Sequence, residues 1–231
     1  MIKEHKWRYL GSLLSRTEQA SGKTLSDYLL SIQPLEAAAK EYYSETIQLE
    51  TEAFLEMMVL DGCFILEIFR KVNKLQPFQQ DDPIATMAWI LPSFCRDFLR
   101  LENQIPFFIL EKLFEISKIP GEESGTTLSW LALRFFNKIM HRPKDVIDSC
   151  SKLGGKHLLD LVHSSYTCNL KIPPPPREGR QTPIIHCISK LRHSGIKINQ
   201  VEEESFLAVK LKNGVIVMPI LNFDEFMRSS C

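Results

Sequence analysis

Apolar residues recur every three to four positions through most of residues 1–141, which is the spacing of one face of an α-helix. In residues 4–16 this spacing predicts an amphipathic helix that lies on a core. Residues 54–69 differ, because apolar side chains occupy almost every side of the predicted helix, and this indicates a buried helix. The stripe predicted to be buried on the first helix consists of Trp7, Leu10, Leu13 and Leu14.

Asp61 and Gly62 interrupt the apolar pattern in the middle of the buried helix. Glycine costs about 1 kcal/mol relative to alanine inside a helix, so Gly62 indicates that another element approaches closely at this point. A buried carboxylate requires a donor or a cation, so Asp61 is predicted to have a polar partner. Both residues are therefore interpreted as structural.

Residues 99–113, LRLENQIPFFILEKL, combine the acid Glu102 and two amides with otherwise apolar surroundings. Pro106 has a fixed φ and no backbone N–H, so one helix is predicted to stop near Gln104 and the next to hold Pro106 in its first turn. An unpaired buried amide costs about 1–3 kcal/mol. Asn103 and Gln104 are therefore predicted to bind neighbouring backbone and to fix this helix-to-helix corner.

The composition changes after residue 141, where proline, glycine, serine and charged residues become frequent. Residues 142–181 are predicted to form a linker that contains one short helix near 157–162. Four consecutive prolines at 173–176 favour an extended polyproline II segment. We interpret this segment as a solvated spacer, and the alternative is that it binds an aromatic groove of a partner protein.

Residues 182–231 begin with a helical pattern and end with an alternating one. Thr182 and Pro183 are typical of a helix start, and Gly195 is typical of a helix stop. Between them, Ile188 and Leu191 belong to the stripe that is predicted to be buried.

The alternating pattern that follows predicts a β-hairpin. The dipeptide 213–214, Asn-Gly, is typical of a type I′ turn, and a two-residue loop pairs Leu211 with Ile216. Pro219 cannot donate a ladder hydrogen bond, so the second strand is predicted to lie at an edge.

These patterns together predict an α+β fold that is mainly α. A helical domain spans residues 1–141, and the linker with its short helix and proline-rich run spans 142–181. Residues 182–231 are predicted to form a helix and an antiparallel β-hairpin that pack on the helical part.

The charges of this 231-residue chain balance, with 28 Lys and Arg against 28 Asp and Glu. Because no basic excess exists to neutralise a phosphate backbone, nucleic-acid binding is not expected. No apolar run reaches the roughly 18–20 residues of a membrane-spanning helix, and the charged N-terminus lacks the apolar core of a signal peptide. We therefore expect neither a membrane span in this chain nor secretion.

The six cysteines are widely spaced and include no CxxC pair. A chain with 44% hydrophobic residues needs no disulfides to fold, so we expect free thiols and a soluble protein in a reducing compartment. Cys63 and Cys95 lie in apolar runs and are predicted to be small core residues.

No set of residues matches the spacing of a known catalytic or cofactor site. The six histidines are scattered and lack the HExxH spacing. Residues 154–156, Gly-Gly-Lys, are not a phosphate loop, because His157 replaces the hydroxyl residue and no strand precedes them. Cys150 and Cys187 lack a neighbouring base. We therefore expect no metal, no cofactor and no enzymatic activity.

Six segments spread over nearly the whole chain carry a resemblance to one protein family. They are EHKWRYL (4–10), MMVLDGCFILEIFRK (57–71), DDPI (81–84), RDFLRLENQIPFFILEKLF (96–114), IIHCISKLRHSGIKI (184–198) and KLKNGVIVMPIL (210–221). In content and order they resemble the plant family DUF247, a domain of unknown function. DGCFILE together with LENQIPFF is highly specific to that family.

The resemblance implies a plant protein without an assigned catalytic mechanism. It also implies relatives of which many carry a C-terminal membrane helix and some are tied to pollen–stigma self-incompatibility in grasses. Compared with the family pattern, the chain lacks the segment upstream of residues 4–10 and the part that follows Cys231. We therefore expect a truncated member to which membrane anchorage does not carry over.

Acids near the buried elements leave two classes of function open. In the preferred interpretation these acids cap backbone or pair with arginines such as Arg96 and Arg100, and the protein is a non-enzymatic recognition or signalling module with an unknown protein partner. In the alternative it is an enzyme with a cleft built from Asp61, Asp97 and Glu102, in which perturbed carboxylates perform acid–base chemistry. An open pocket lined by these three acids, without saturating donors, would favour the enzyme.

Overall fold

The computed structural model of the protein describes residues 2–86, 90–118, 125–168, 187–201 and 209–220. The chain divides into two compact units, Met1–Ser164 and Ser165–Cys231. The predicted fold class, α+β and mainly α, is confirmed. The helices are α1 (Ile2–Ser21), α2 (Leu25–Ile32), α3 (Glu36–Glu41), α4 (Thr51–Val72), α5 (Pro83–Thr86), α6 (Ile90–Leu99), α7 (Phe107–Ile116), α8 (Leu128–Met140), α9 (Lys144–Ser149), α10 (Leu158–Thr167) and α11 (Ile188–His193), and the strands are β1 (Lys197–Val201), β2 (Lys210–Lys212) and β3 (Val215–Pro219).

Helix α4 is the centre of the first unit, where it contacts α1, α2, α7 and α8. The prediction that it is buried is confirmed. Complete burial of one large apolar side chain stabilises a fold by about 1.5–3 kcal/mol, so α4 makes a large contribution to the core. Its buried apolar residues include Phe54, Met58, Cys63, Leu66 and Phe69.

Gly62 lies where α4 and α7 meet. A Cβ at this position would be 2.5 Å from Leu113 Cδ1 and 3.5 Å from Leu110 Cδ2. The first distance is well inside van der Waals contact, so a side chain at Gly62 would push α7 away or force Leu113 into another rotamer. Glycine therefore allows the two helices to pack at this separation.

The acid Glu67 on α4 is fully buried and joins three parts of the first unit. Its carboxylate accepts hydrogen bonds from Arg16 of α1 at 3.0 and 2.6 Å, and from Arg70 of α4 at 3.3 Å. Arg70 is also fully buried and donates to Ser117 Oγ, just beyond α7, at 2.9 Å. Because buried charges are tolerated only when paired, this network fixes how α1, α4 and the end of α7 meet.

The buried face of α1 differs from the predicted stripe. Trp7 is 49% exposed, so the prediction is wrong at that residue. Its place in the core is taken by Tyr9, whose hydroxyl donates to the buried Asp82 Oδ2 at 2.7 Å, and by Thr17, whose hydroxyl accepts from Tyr28 at 3.2 Å. Both have polar atoms that find buried partners, and apolar spacing alone does not reveal such residues.

The first compact unit, Met1–Ser164, includes residues 142–164. The predicted division into domains at 141 and 181 stays a prediction. Ile147, Cys150, Leu158 and Leu161 are buried and anchor this part of the chain. The backbone N–H of Phe107 also donates to the carbonyl of Lys156 at 2.8 Å. Residues 169–181 of the predicted linker, including the prolines at 173–176, lie outside the described residues.

The predicted hairpin is present in the second unit, where Leu211 pairs with Ile216 in the expected register. Asn213 and Gly214 have φ values of 49° and 74°, which is the left-handed backbone that a type I′ turn requires. The predicted position of Pro219 on an edge strand is wrong, because β3 is the central strand of the order β1-β3-β2.

Strand β1 is an element that the sequence pattern did not predict, as is helix α9, and β1 pairs with β3 in parallel. Its sequence, KINQV, shows little apolar alternation. Pro219 is accommodated because it is the last residue of β3, and the next N–H, that of Ile220, donates to Val201 at 3.2 Å.

Helix α11 ends where predicted, since Gly195 has a φ of 82° and Ile196 N–H donates to the Leu191 carbonyl at 3.1 Å. Ile188 is 49% exposed, so its predicted burial is wrong among the described residues. The predicted helix start at 182–183 lies outside the described residues, and packing of residues 182–231 on the helical part stays a prediction.

No helix within the described ranges combines the length and the apolar character needed to cross a membrane.

Candidate functional site

The helix-to-helix corner differs in detail from the predicted one. Helix α6 ends at Leu99, and a short 3-10 turn covers Leu101–Asn103. Pro106 lies just before α7 as its N-cap, with φ −53° and ψ 130°, and not inside the first turn. The extended backbone between the turn and the proline carries the chain from one helix to the next.

The two amides of the corner bind backbone. Asn103 Nδ2 donates to the Asp97 carbonyl at 3.0 Å. Gln104 Nε2 donates to the carbonyls of Phe98 and Arg100 at 2.9 and 2.6 Å, and Gln104 Oε1 accepts from the N–H of Leu159 at 3.1 Å. Gln104 therefore caps the end of α6 and ties it to the start of α10.

A cavity of about 320 Å³ opens between α1, α4, α6 and this corner, and we call it the corner cavity. It brings together the three acids of the alternative interpretation, Asp61, Asp97 and Glu102. The corner cavity is also lined by Ile2, Lys6, Tyr43, Ile47, Met57, Met58, Phe64, Ile65, Phe94, Phe98, Asn103, Gln104 and Ile105.

The acids of the corner cavity differ in how they are held. Asp61 Oδ1 lies 2.7 Å from Lys6 Nζ, with the two side chains 34% and 24% exposed. Asp97 Oδ1 is 3.9 Å from Arg100 Nε, and both side chains are about half exposed, so this pair is weak. Glu102 is exposed on the 3-10 turn. Among the described lining residues there are three carboxylates and one ammonium, that of Lys6, so this described lining has a negative formal charge.

Tyr43 is a lining residue that sequence reasoning missed. Its hydroxyl donates to the Gln104 carbonyl at 3.0 Å. Burial of the phenol, with a smaller contribution from the charge of Asp61, raises the pKa of Tyr43 to about 12. Tyr43 follows α3 in a segment without helical spacing, so no periodic signal could have placed it beside Asp61.

Aromatic and thioether side chains form much of the remaining wall. The rings of Phe94 and Phe98 stack with centroids 5.6 Å apart and planes 3° from parallel, and Phe64 meets Phe94 edge-on at 5.5 Å. Met57 and Met58 add flexible, polarisable groups that adapt to ligand shape. The corner cavity thus combines an apolar wall with acidic groups.

The cysteines near the core are held as thiols. Cys63 and Cys95 are fully buried, which confirms that they are core residues. Burial raises the pKa of the Cys95 thiol to about 12, and burial also raises the pKa of Cys63. Across the part of the chain that the structure describes, no three His, Cys, Asp or Glu side chains are grouped as they would be to hold a metal ion.

Comparisons with known proteins agree over almost the whole chain. The model of the DUF247 family, described as plant protein of unknown function, matches residues 1–230. UPF0481 protein At3g47200 from Arabidopsis thaliana is 31% identical over 252 aligned positions, covering 99% of this chain and 51% of the relative. The chain therefore spans about half the length of this curated relative.

No solved structure matched the chain. The family match nevertheless covers both compact units and includes the corner and its acids. This chain belongs to the DUF247 family of plant proteins, whose function is unknown.

Proposed function

We propose that this chain is a non-enzymatic recognition module that binds a ligand group in the corner cavity, and that its physiological partner is a protein. The observation that carries the proposal is a cavity of about 320 Å³ with an apolar wall and a few charged groups. Binding pockets in proteins have this size and this mixture of surfaces.

The polar groups around the corner cavity support binding more than proton transfer. Asp61 is paired with Lys6 at 2.7 Å. The amides of Asn103 and Gln104 hold backbone groups, and the Tyr43 hydroxyl donates to a carbonyl. These contacts keep the wall in one shape before a ligand arrives, and a preformed pocket loses less entropy on binding.

The alternative is an enzyme, and one observation favours it. Asp61, Asp97 and Glu102 line the same cavity, as that hypothesis requires. Asp61 is already neutralised by Lys6, which leaves Asp97 and Glu102 as candidates for acid–base chemistry. Both classes of function use the corner cavity, so one set of experiments can separate them.

The test is a screen of small fragments of mixed charge, read from the carbon-13 methyl signals of Met57 and Met58. Fragments that enter the corner cavity are expected to shift both signals. The variant Ile47→Trp, which places a large side chain in the lining, is expected to abolish the shifts. Leu30→Trp is the matched control, because Leu30 is 62% exposed and lies outside the lining.

Two results would contradict the proposal. If no fragment shifts the Met57 and Met58 signals of the unmodified protein while that protein keeps its helical content, the corner cavity is not a ligand site. If a bound compound is converted to a product, and Asp97→Asn or Glu102→Gln stops the conversion, the enzyme alternative replaces the recognition module.

A further inference from the structure

We propose that the corner cavity takes a cation, in the form of an apolar body that ends in a protonated amine or a guanidinium group. This inference rests on the proposed function, since it names the class of ligand for the same cavity. Two independent features of the lining support it, namely its aromatic rings and its charge.

The aromatic rings are the first feature. Phe64, Phe94, Phe98 and Tyr43 all line the corner cavity. Aromatic rings attract ammonium and guanidinium groups through their quadrupoles, and protein sites for substituted ammonium ligands are built from several such rings. The same rings provide the apolar surface that the body of the ligand would cover.

The charge is the second feature. The described lining residues include the three acids Asp61, Asp97 and Glu102 and one ammonium, that of Lys6, so this lining favours a positive ligand over a negative one. Glu102 is exposed on the corner, and within the described residues the Asp97 carboxylate is held only by a 3.9 Å contact with Arg100. These two acids can therefore accept a ligand cation without first losing a strong partner.

Lys6 acts in this proposal as a resident cation that competes with the ligand. Its ammonium lies 2.7 Å from Asp61 at the wall formed by α1. A ligand cation near Asp61 would meet this like charge. Removing the charge of Lys6 while keeping most of its apolar length, as in Lys6→Met, is therefore expected to strengthen the binding of cations.

The ligand cation has two possible sources, a free amine or the lysine or arginine side chain of a protein. The chemistry of the contact is the same in both. A free amine presents its whole body to the apolar wall, whereas a side chain brings peptide backbone to the mouth of the cavity. Matched probes can therefore tell the two sources apart.

The first experiment compares three probes with the same apolar body: phenylpropylamine, phenylpropanol and phenylpropanoate. Each is titrated into the full chain while the methyl signals of Met57 and Met58 are followed. The amine is expected to bind at least roughly fivefold more tightly than the alcohol, and the acid more weakly than both. If the alcohol or the acid binds as tightly as the amine, the inference is overturned while the proposed function stands.

Charge variants test whether the acids and Lys6 act as described. Glu102→Gln and Asp97→Asn are each expected to reduce the affinity for the amine by roughly two- to fivefold and to leave the affinity for the alcohol unchanged. Lys6→Met is expected to raise the affinity for the amine by a similar factor. Equal effects on amine and alcohol would overturn the role of charge.

The matched control for Lys6→Met is Lys112→Met. Lys112 is 45% exposed, lies 3.8 Å from Glu115 and is outside the lining. It is expected to leave the affinity for the amine unchanged. If Lys112→Met and Lys6→Met raise the affinity equally, the effect comes from net charge and the competition by Lys6 is refuted.

The second experiment distinguishes the sources. A blocked tripeptide of leucine, lysine and phenylalanine is compared with its glutamine analogue and with phenylpropylamine. Tighter binding of the lysine peptide than of both others supports a protein side chain, and tighter binding of the free amine supports a small amine. If no probe in either experiment shifts the Met57 and Met58 signals, this inference fails, and the proposed function fails with it only if the fragment screen also gives no shift.

Discussion

The close packing of α4 on α7 makes a quantitative prediction for Gly62→Ala. The new Cβ would lie 2.5 Å from Leu113 Cδ1, about 1 Å inside normal contact. Leu113 is fully buried and cannot turn into solvent. Overpacking of this kind costs about 1–3 kcal/mol, whereas alanine gains about 1 kcal/mol over glycine in helix propensity. The net change in the free energy of unfolding is expected to be a loss of up to about 2 kcal/mol.

Gly11 supplies the matched control, because it lies inside helix α1 and nothing lies within 4 Å of its missing Cβ. Gly11→Ala therefore receives the gain in helix propensity without the clash, and it is expected to stabilise the protein by up to about 1 kcal/mol. Urea unfolding followed by far-ultraviolet circular dichroism measures both variants. The difference between the two isolates the packing of Gly62 against Leu113.

A double variant identifies the contact that causes the loss. Leu113→Ala alone leaves a cavity and is expected to cost about 2–5 kcal/mol. In Gly62→Ala/Leu113→Ala the new methyl group enters that cavity, so the combined loss should be smaller than the sum of the single losses by about 1 kcal/mol or more. The reasoning is refuted if Gly62→Ala stabilises the protein as much as Gly11→Ala does, or if the two changes are additive.

Three further predictions concern buried charge, alkaline pH and the hairpin. Glu67→Gln leaves the fully buried Arg70 without its carboxylate and is expected to cost about 3–5 kcal/mol in urea unfolding; a loss below 1 kcal/mol would contradict this role. Burial raises the pKa of Tyr28 to about 12, against 10 for a free phenol, so the unfolded chain loses this proton at a lower pH than the folded chain does. The free energy of unfolding should therefore fall by about 2 kcal/mol as the pH rises from 10 to 12. The Tyr28→Phe variant should not show this loss of stability, and identical pH profiles of the free energy of unfolding for the two proteins would refute the role of Tyr28. Gly214→Ala forces alanine to a φ of 74° and should speed hydrogen exchange in the hairpin, whereas Gly154→Ala, whose Cβ meets only open space, should not.

Patterns within one element were predictable from the sequence. Apolar residues on all sides of α4 predicted its burial, and Gly62 indicated a close neighbour. The dipeptide at 213–214 fixed the register of the hairpin, because a type I′ turn allows few alternatives. Local chemistry determines these features, so local sequence reveals them.

Features that depend on distant parts of the chain could not be predicted. Lys6 and Asp61 are separated by 55 positions, and Arg16 and Glu67 by 51, so nothing local pairs them. Tyr43 reaches the corner cavity from a segment without helical spacing. The candidate site was therefore predicted as single acids and amides, while the cavity that joins them forms only when distant parts of the chain pack together.

The rule that a proline marks an edge strand failed for a related reason. The rule is based on the backbone N–H that proline lacks, and it takes no account of where along the strand the proline lies. As the last residue of β3, Pro219 leaves the ladder to β1 intact up to that point. Strand β1 has a sequence of polar and apolar residues without clear alternation, and its strand conformation depends on pairing with β3.

The attachment of α1 differs along its length. Near its start, the ion pairs of Lys6 with Asp61 and of Arg8 with Asp81 are partly exposed to solvent. Near its end, Arg16 binds the fully buried carboxylate of Glu67. Dissolved ions weaken the first two contacts much more than the third. The first turns of this helix should therefore loosen in concentrated salt while its last turns stay in place. The wall beside Asp61 should then be the part of the corner cavity that responds most to ionic strength.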